Sequence, residues 1–339
     1  MSKMVLLTSE KKFFKGNMHA HSTLSDGKQT PEELKKLYKV HGYSFIAITD
    51  HEVVYDNSYL DDEEFITITG AEYGIKEDPN KSVFRNPDMK VCHLNIYAKD
   101  QHNADTVCYC EHLDIYSKPE IREPLIEKYG KVERAYGAEG INELIRKVNE
   151  AGFFVAYNHP KWSVENCLDY IGYEGLWGVE IYNHACHLSG TFSYDINAHD
   201  NYHRVGKKVF ATCGDDNHVN ATSCGGFVMV NCDKLSYDDI IAALLKGDFY
   251  SSHGPYINEL YVENGKVTVK CSDAKRISYS TSGRRAMAVN AEAHEYVNEA
   301  TFDIMDNDIY FRIDIMDEYG NRADTQAYYV KDLGGMTNE

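Results

Sequence analysis

Residues 30–51, "TPEELKKLYKVHGYSFIAITDH", constrain the fold most, because they spell out one complete helix-to-strand unit. Thr30 and Glu33 predict a capping box, Pro31 suits the first helical position, and Leu34, Leu37 and Tyr38 recur at helical spacing. Gly42 ends the helix. The run "SFIAIT" then reads as a buried strand that delivers Asp50 and His51 at its C-terminal end. The same grammar returns in "GINELIRKVNEAGFFVAYNHP", where Ile141, Leu144, Ile145 and Val148 form one apolar stripe, Gly152 closes the helix, and the strand delivers His159.

Further strands are predicted at "FITITG" before Glu72, "KVCHLNIY" around His93, "LWGVEIYN" around Glu180 and "KKVFATCG" before Asp215 and Asp216. A last unit, "SYDDIIAALLKGDFYSSH", has a helix, Gly247 and a short strand. Strands alternating with helices imply a parallel sheet, and polar groups at strand C-termini imply a barrel-like or open α/β architecture with its site on that edge. The polar stretches "YGIKEDPNKSVFRNPDMK" and residues 100–139 interrupt the repeat and read as lids or walls. After about residue 256 the period changes to alternation, as in "KVTVKCS" and "IYFRIDIMDEYGNRADTQAYYV", with a turn at Tyr319, Gly320 and Asn321. The expected layout is an α/β catalytic unit over residues 1–255, then a small C-terminal β-sandwich-like domain over residues 256–339. A disordered tail is expected from Gly334.

A length of 339 residues permits one large and one small domain, or two of middling size. No apolar run approaches the roughly 20 residues of a membrane span, and the start "MSKMVLLTSEKK" lacks a secretory apolar region, so neither membrane nor secretion is expected. Nine cysteines, an odd number without regular spacing, fit reduced thiols in the cytoplasm. A formal net charge of -18 disfavours a long nucleic acid as partner. It leaves small phosphate esters open, since divalent metals would add positive charge where the acidic ligands sit. Nothing in the sequence sets the oligomeric state, and the 26 tyrosines exceed what the class explains.

The chemistry lies in a series: His19 and His21 in "GNMHAHSTLSDG", then Asp26, Asp50 and His51, Glu72, His93, His159, and Asp216 and His218 in "GDDNH". An H-x-H pair on an extended segment puts both imidazoles on one face, and imidazole with carboxylate ligates zinc, manganese and iron alike. Nearly every member falls at or just after a predicted strand end. His93, inside a strand, is the exception that only context decides. Asp215 and Asp216 point to opposite faces if the strand continues, so one of them can serve a given metal, and the residues alone do not choose.

The stretches "HAHSTLSDG", "ITDH", "GAE", "CHLN", "NHP" and "GDDNH" together resemble the PHP (polymerase and histidinol phosphatase) superfamily of metal-dependent hydrolases, over about residues 15–253. "VEIYN", "GDFYSSHGPYI" and the trailing β segment are most similar to its CehA/McbA-like branch. The resemblance implies a distorted (β/α)7 barrel with two or three divalent ions (Zn, Mn or Fe). It implies a first metal held by His19, His21, Glu72 and Asp216, Glu72 bridging to a second held by His93 and His159, and a third held by Asp26, His51 and His218. It also favours Asp216 over Asp215. Where such relatives commonly have threonine before "GP", this chain has His253, a candidate substrate contact for which a turn role beside Gly254 is favoured.

The expected reaction is hydrolysis of a small phosphomonoester or phosphodiester by a metal-bridging hydroxide. Glu72 is its central carboxylate, and Asp50 is a supporting group or proton acceptor. No G-x-S-x-G elbow supplies an alternative nucleophile. Lys161, Arg204 and Lys207 are candidate phosphate contacts, although nothing in their spacing distinguishes them from solvated surface charges. Tyr182, Asn183 and His184 are candidate pocket residues, and Cys108, Cys110 and His112 read as a loop with buried thiols rather than a zinc site. The alternatives are hydrolysis of a carboxyl-type ester, amide or carbamate, 5′-3′ exonuclease action on short nucleic acids, and a non-catalytic metal-stabilised module.

Overall fold

The computed structural model describes residues 3–130, 132–191 and 194–334. The tail expected from Gly334 falls on residues 335–339, which lie outside them. The strands of the first 255 residues are β1 (Met4–Leu7), β2 (Lys12–Asn17), β3 (Phe45–Ile48), β4 (Ile66–Lys76), β5 (Val91–Ala98), β6 (Phe153–Tyr157), β7 (Gly178–Asn183), β8 (Phe210–Gly214), β9 (Phe227–Cys232) and β10 (Phe249–Ser252). The helices are α1 (Pro31–Val40), α2 (Pro119–Tyr129), α3 (Ala138–Glu150), α4 (Cys167–Tyr170), α5 (His184–Leu188), α6 (Ile196–Arg204) and α7 (Tyr237–Lys246). Helix α1 carries the expected capping box: Thr30 accepts the Glu33 N–H, and the Glu33 carboxylate takes the Thr30 N–H. Leu34 and Tyr38 of α1 are buried, as is the whole Ile141, Leu144, Ile145 and Val148 stripe of α3.

The fold is mixed α/β around one large, strongly curled sheet, ordered β9-β2-β3-β4-β5-β6-β7-β8 across its centre. The expectation of a parallel sheet is corrected. Strands β2, β3 and β4 are parallel, as are β6, β7 and β8, but β5 runs antiparallel to both β4 and β6, and β9 antiparallel to β2. The connection from β4 to β5, residues 77–90, holds one 3₁₀ turn at Val83–Arg85 and no α-helix of the kind that usually carries a parallel crossover.

The closed (β/α)7 barrel is corrected as well. Strand β8 comes back beside β9 and β10, yet no ladder joins them among the described residues. Side chains satisfy that edge instead: Gln326 accepts the Ala211 N–H at 2.7 Å, while Gln326 and Ser251 both donate to the Ala211 carbonyl. The high tyrosine count has a similar use. Buried phenols of Tyr97, Tyr43, Tyr202 and Tyr237 donate to the backbone carbonyls of Met18, Gly226, Tyr170 and Ala98.

Beyond residue 256 the described chain is β-rich: β11 (Ile257–Glu263), β12 (Lys266–Ala274), β13 (Arg276–Thr281), β14 (Ala286–Asn290), β15 (Val297–Asp303), β16 (Tyr310–Met316), β17 (Arg322–Thr325) and β18 (Tyr328–Tyr329). Strands β17, β16, β13 and β14 extend the large sheet from β10, whereas β1, β11, β12 and β15 form a separate four-stranded sheet. Leu260, Val262, Val267 and Val269 of the small sheet share one apolar core with Ile277, Tyr279, Ile313 and Ile315 of the large one. No helix among the described residues is long and apolar enough to cross a membrane.

Candidate metal centre

One edge of the curled sheet gathers the polar series. His19 and His21 follow β2, Asp50 and His51 follow β3, His159 follows β6, and Asp216 follows β8, while Glu72 lies within β4. His93 resolves through strand direction. Because β5 is antiparallel, the start of that strand lies at this edge, and His93 pairs with Gly74, two residues beyond Glu72.

Glu72, 1% exposed, sits at the centre. Its Oε1 lies 3.3 Å from His19 Nε2, 3.2 Å from His93 Nδ1 and 3.3 Å from His159 Nε2. Its Oε2 lies 3.4 Å from His21 Nε2 and 3.3 Å from His51 Nδ1. Asp216 Oδ1 approaches His21 Nε2 at 3.0 Å and His19 Nε2 at 3.4 Å. Asp26 Oδ1 faces His218 Nε2 at 3.3 Å and His51 Nε2 at 3.7 Å.

Three groups therefore have ligand-type atoms close enough to hold an ion: His19, His21, Glu72 and Asp216; Glu72, His93 and His159; and His21, Asp26, His51 and His218. The last group is one residue larger than the resemblance implied, because the second ring nitrogen of His21 turns toward Asp26 at 3.9 Å. That Nδ1 is buried and has no hydrogen-bond partner.

The chemistry of these donors fits divalent cations. His19 Nδ1–H donates to Glu180 Oε1 at 3.0 Å, which leaves the Nε2 lone pair facing His21 Nε2 at 3.3 Å and the Glu72 and Asp216 carboxylates. Such convergence needs a proton or a cation among the groups. The titration behaviour agrees. Burial alone would lower His21, yet Asp216 and Glu72 raise it to about 10. Burial opposes ionisation of Glu72 too, but His93 and His19 hold it well below the usual carboxylate range. His51 is lowered to about 3 by burial and by His21 beside it.

A surrounding layer orients the cluster. Besides His19, Glu180 takes the His159 N–H at 3.2 Å and the Asn183 amide at 3.0 Å. Asn158 donates to Glu72 Oε1 at 2.7 Å, and Asn183 also reaches Asp216 Oδ2 at 3.1 Å. His159 and Asp216 adopt positive φ of 27° and 52°, backbone strain that the cluster's packing sustains. Sequence reasoning left Glu180 and Asn158 out of the site. The available signal for Glu180 was a lone carboxylate inside an apolar strand.

The remaining candidates separate. Asp215 turns away from the cluster and accepts the N–H groups of Cys224, Gly225 and Gly226 and the Tyr38 phenol. Asp50 accepts a backbone N–H and a hydroxyl from each of Ser22 and Ser25, and so folds the His21–Asp26 loop. Lys161 borders the cavity beside His159, Glu180 and Asp195.

Arg204 ends α6 with an exposed side chain, next to His203, whose ring packs against Tyr310 and Tyr329. Lys207 is tied to the carbonyls of Ile171 and Tyr173. The His253 ring stacks on Tyr182 at 4.1 Å, and its Nε2 accepts the Arg322 N–H. Cys110 contacts His112 at 3.3 Å, and among the described residues they belong to no group able to hold an ion.

Comparison with known proteins adds the following. No curated protein matches the chain. Among solved structures it is similar to a two-domain protein of Bacteroides vulgatus containing a predicted PHP-like metal-dependent phosphoesterase. The identity is 12%, with 97% of this chain and 98% of that one covered, at a TM-score of 0.45. It is similar to a candidate metal-dependent phosphoesterase of Bifidobacterium adolescentis, with 17% identity, 68% and 95% coverage and a TM-score of 0.41. It is also similar to the lesion-specific endonuclease PfuEndoQ of Pyrococcus furiosus, with 14% identity, 69% and 56% coverage and a TM-score of 0.41. The family model of the PHP domain matches residues 17–184, which contain eight of the ten polar positions named at this edge, from His19 and His21 through Asp26, Asp50, His51, Glu72 and His93 to His159. Residues 17–184 therefore form a domain of the PHP superfamily.

Proposed function

We propose that the chain is a metal-dependent hydrolase whose substrate is a small phosphomonoester or phosphodiester. The observation that carries this reading is the sharing of Glu72 and His21 among three adjacent ligand groups. Divalent cations held there would activate water and polarise the oxygens of an ester. For its part, the chain supplies fixed ligands. Glu180 holds the His19 tautomer and the His159 backbone, Asn158 aims Glu72, and Asp50 folds the loop that carries Asp26. Zinc, manganese and iron all suit such mixed nitrogen and oxygen donors. In this reading residues 1–255 form the hydrolase unit and residues 256–339 an appended β unit. The nine free thiols suit a cytoplasmic location.

The test is turnover of 4-nitrophenyl phosphate, bis-4-nitrophenyl phosphate, a naphthyl carbamate and a short oligonucleotide by protein loaded in turn with each metal. Hydrolysis of either small phosphate ester, lost on chelation and restored by metal, is the expected result. Turnover of the carbamate alone, or of the oligonucleotide alone, would replace the phosphoesterase reading.

A further inference from the structure

Two aromatic rings from unrelated parts of the chain stand on the histidine cluster. Tyr116, in the 100–139 insertion, stacks on the His51 ring with centroids 5.6 Å apart and planes 22° apart. Its phenol interacts with the Asp26 carboxylate. Trp162, three residues after His159, packs edge-on to His159 at 4.9 Å and tilted against His93 at 5.2 Å. Tyr116 thus stands over the group containing His51, and Trp162 over the group containing His93 and His159. Neither ring is buried: Tyr116 is 39% exposed and Trp162 is partly exposed.

The segments that carry the two rings are anchored, although each is a loop. On the Tyr116 side, Asp114 accepts the Ser117 N–H and the Tyr109 phenol, while Tyr55 meets the Ser117 hydroxyl. On the Trp162 side, Ser163 donates its N–H to the His159 carbonyl and accepts the Val91 N–H. Two residues further on, Glu165 receives three phenols, from Tyr136, Tyr157 and Tyr173. Large rings held in place over a polar floor lose little freedom on meeting a ligand, which favours binding. Among the described residues, the ion-pair partners of Asp26, Glu72 and Asp216 are all histidines, and the rings of Tyr116 and Trp162 stand beside that floor as aromatic groups.

We propose that Tyr116 and Trp162 wall a subsite for a planar unsaturated ring carried by the ester, so that the preferred substrates are aryl or similarly flat-ringed esters rather than alkyl ones. The proposal rests on the phosphate-ester reading above. The phosphoryl group occupies the histidine-carboxylate floor, and the ring extends between the two aromatic walls, where offset or edge-on contact is favourable. Selectivity comes from the apolar part of the substrate, which the polar floor cannot sense.

The experiment measures equilibrium binding of phenylphosphonate and methylphosphonate, two non-hydrolysable probes, to manganese-loaded wild type, Trp162→Ala and Tyr116→Ala by calorimetry. Metal content is measured alongside. Trp162→Phe and Tyr116→Phe serve as ring-retaining variants if an alanine variant is unstable. The wild type is expected to bind the phenyl probe about tenfold or more tightly than the methyl probe. That ratio is expected to shrink toward one in the alanine variants and to be largely kept in the phenylalanine variants. Equal binding of both probes by wild type, or a ratio unchanged in both alanine variants, overturns the subsite while leaving the phosphate reading intact. Absence of binding by either probe overturns both.

Discussion

Glu180 Oε1 accepts the Nδ1–H of His19 at 3.0 Å, and through that bond a residue outside the ligand groups decides which His19 nitrogen faces the cluster. Carboxylates behind ligating histidines typically contribute 10–100-fold in metal affinity. Glu180→Gln is therefore expected to weaken binding by about that factor, read as metal retained after dialysis against a chelator of known affinity. Undiminished retention would show that His19 is oriented by its packing alone.

Asp215 and Asp216 are adjacent and do different work, so their variants should fail differently. Asp216→Ala removes a carboxylate from the cluster and is expected to lower the metal count in elemental analysis. Asp215→Ala strands the N–H groups of Cys224, Gly225 and Gly226 and is expected to cost at least about 3 kcal/mol in denaturant unfolding, with metal retained. Metal loss in Asp215→Ala with retention in Asp216→Ala would reverse the assignment.

Asp26 belongs to one ligand group only, the one with His21, His51 and His218. Asp26→Ala should lose one metal equivalent while two remain, measured by elemental analysis of the reconstituted protein. Loss of all metal would mean that the three groups bind as a single unit.

His253 links stability to pH. Burial lowers its pKa from the ordinary histidine value to about 4, and the neutral ring is the form that accepts the Arg322 N–H and stacks on Tyr182. The unfolded chain binds more protons here between about pH 6.5 and 4, so stability is full above that window and falls as pH drops through it. Full protonation corresponds to a loss of up to about 3 kcal/mol. Unfolding free energies measured from pH 7 to 4 should decline less steeply in His253→Gln than in wild type. Parallel curves for the two proteins would remove His253 from the account.

Much of this was legible from local pattern. The capping box at Thr30 and Glu33, the apolar stripe of α3 and the end of α1 at Gly42 are short-range, since each depends on residues within one or two helical turns. The direction of β5 was hidden because residues 77–90 are polar and irregular, and polarity does not say whether a loop reverses the chain. The role of Glu180 was hidden for another reason. A carboxylate inside "VEIYN" is visible as an anomaly, but the sequence cannot say that His19, 161 residues away, meets it. Lys207 and Arg204 carry the same kind of charge, and only packing shows Lys207 tied to carbonyls and Arg204 facing outward.

By itself the sequence determined the chemical character of the site, because imidazole and carboxylate are ligands wherever they converge, and it determined the helix-to-strand units that bring them toward one edge. Tertiary structure decided which atoms converge. Strand pairing between residues far apart in the chain put Glu72 among five histidines, turned Asp215 outward and Asp216 inward, and set both nitrogens of His21 between neighbouring groups. Ligand type is a property of single side chains, whereas separations of 3 to 4 Å come from the whole sheet.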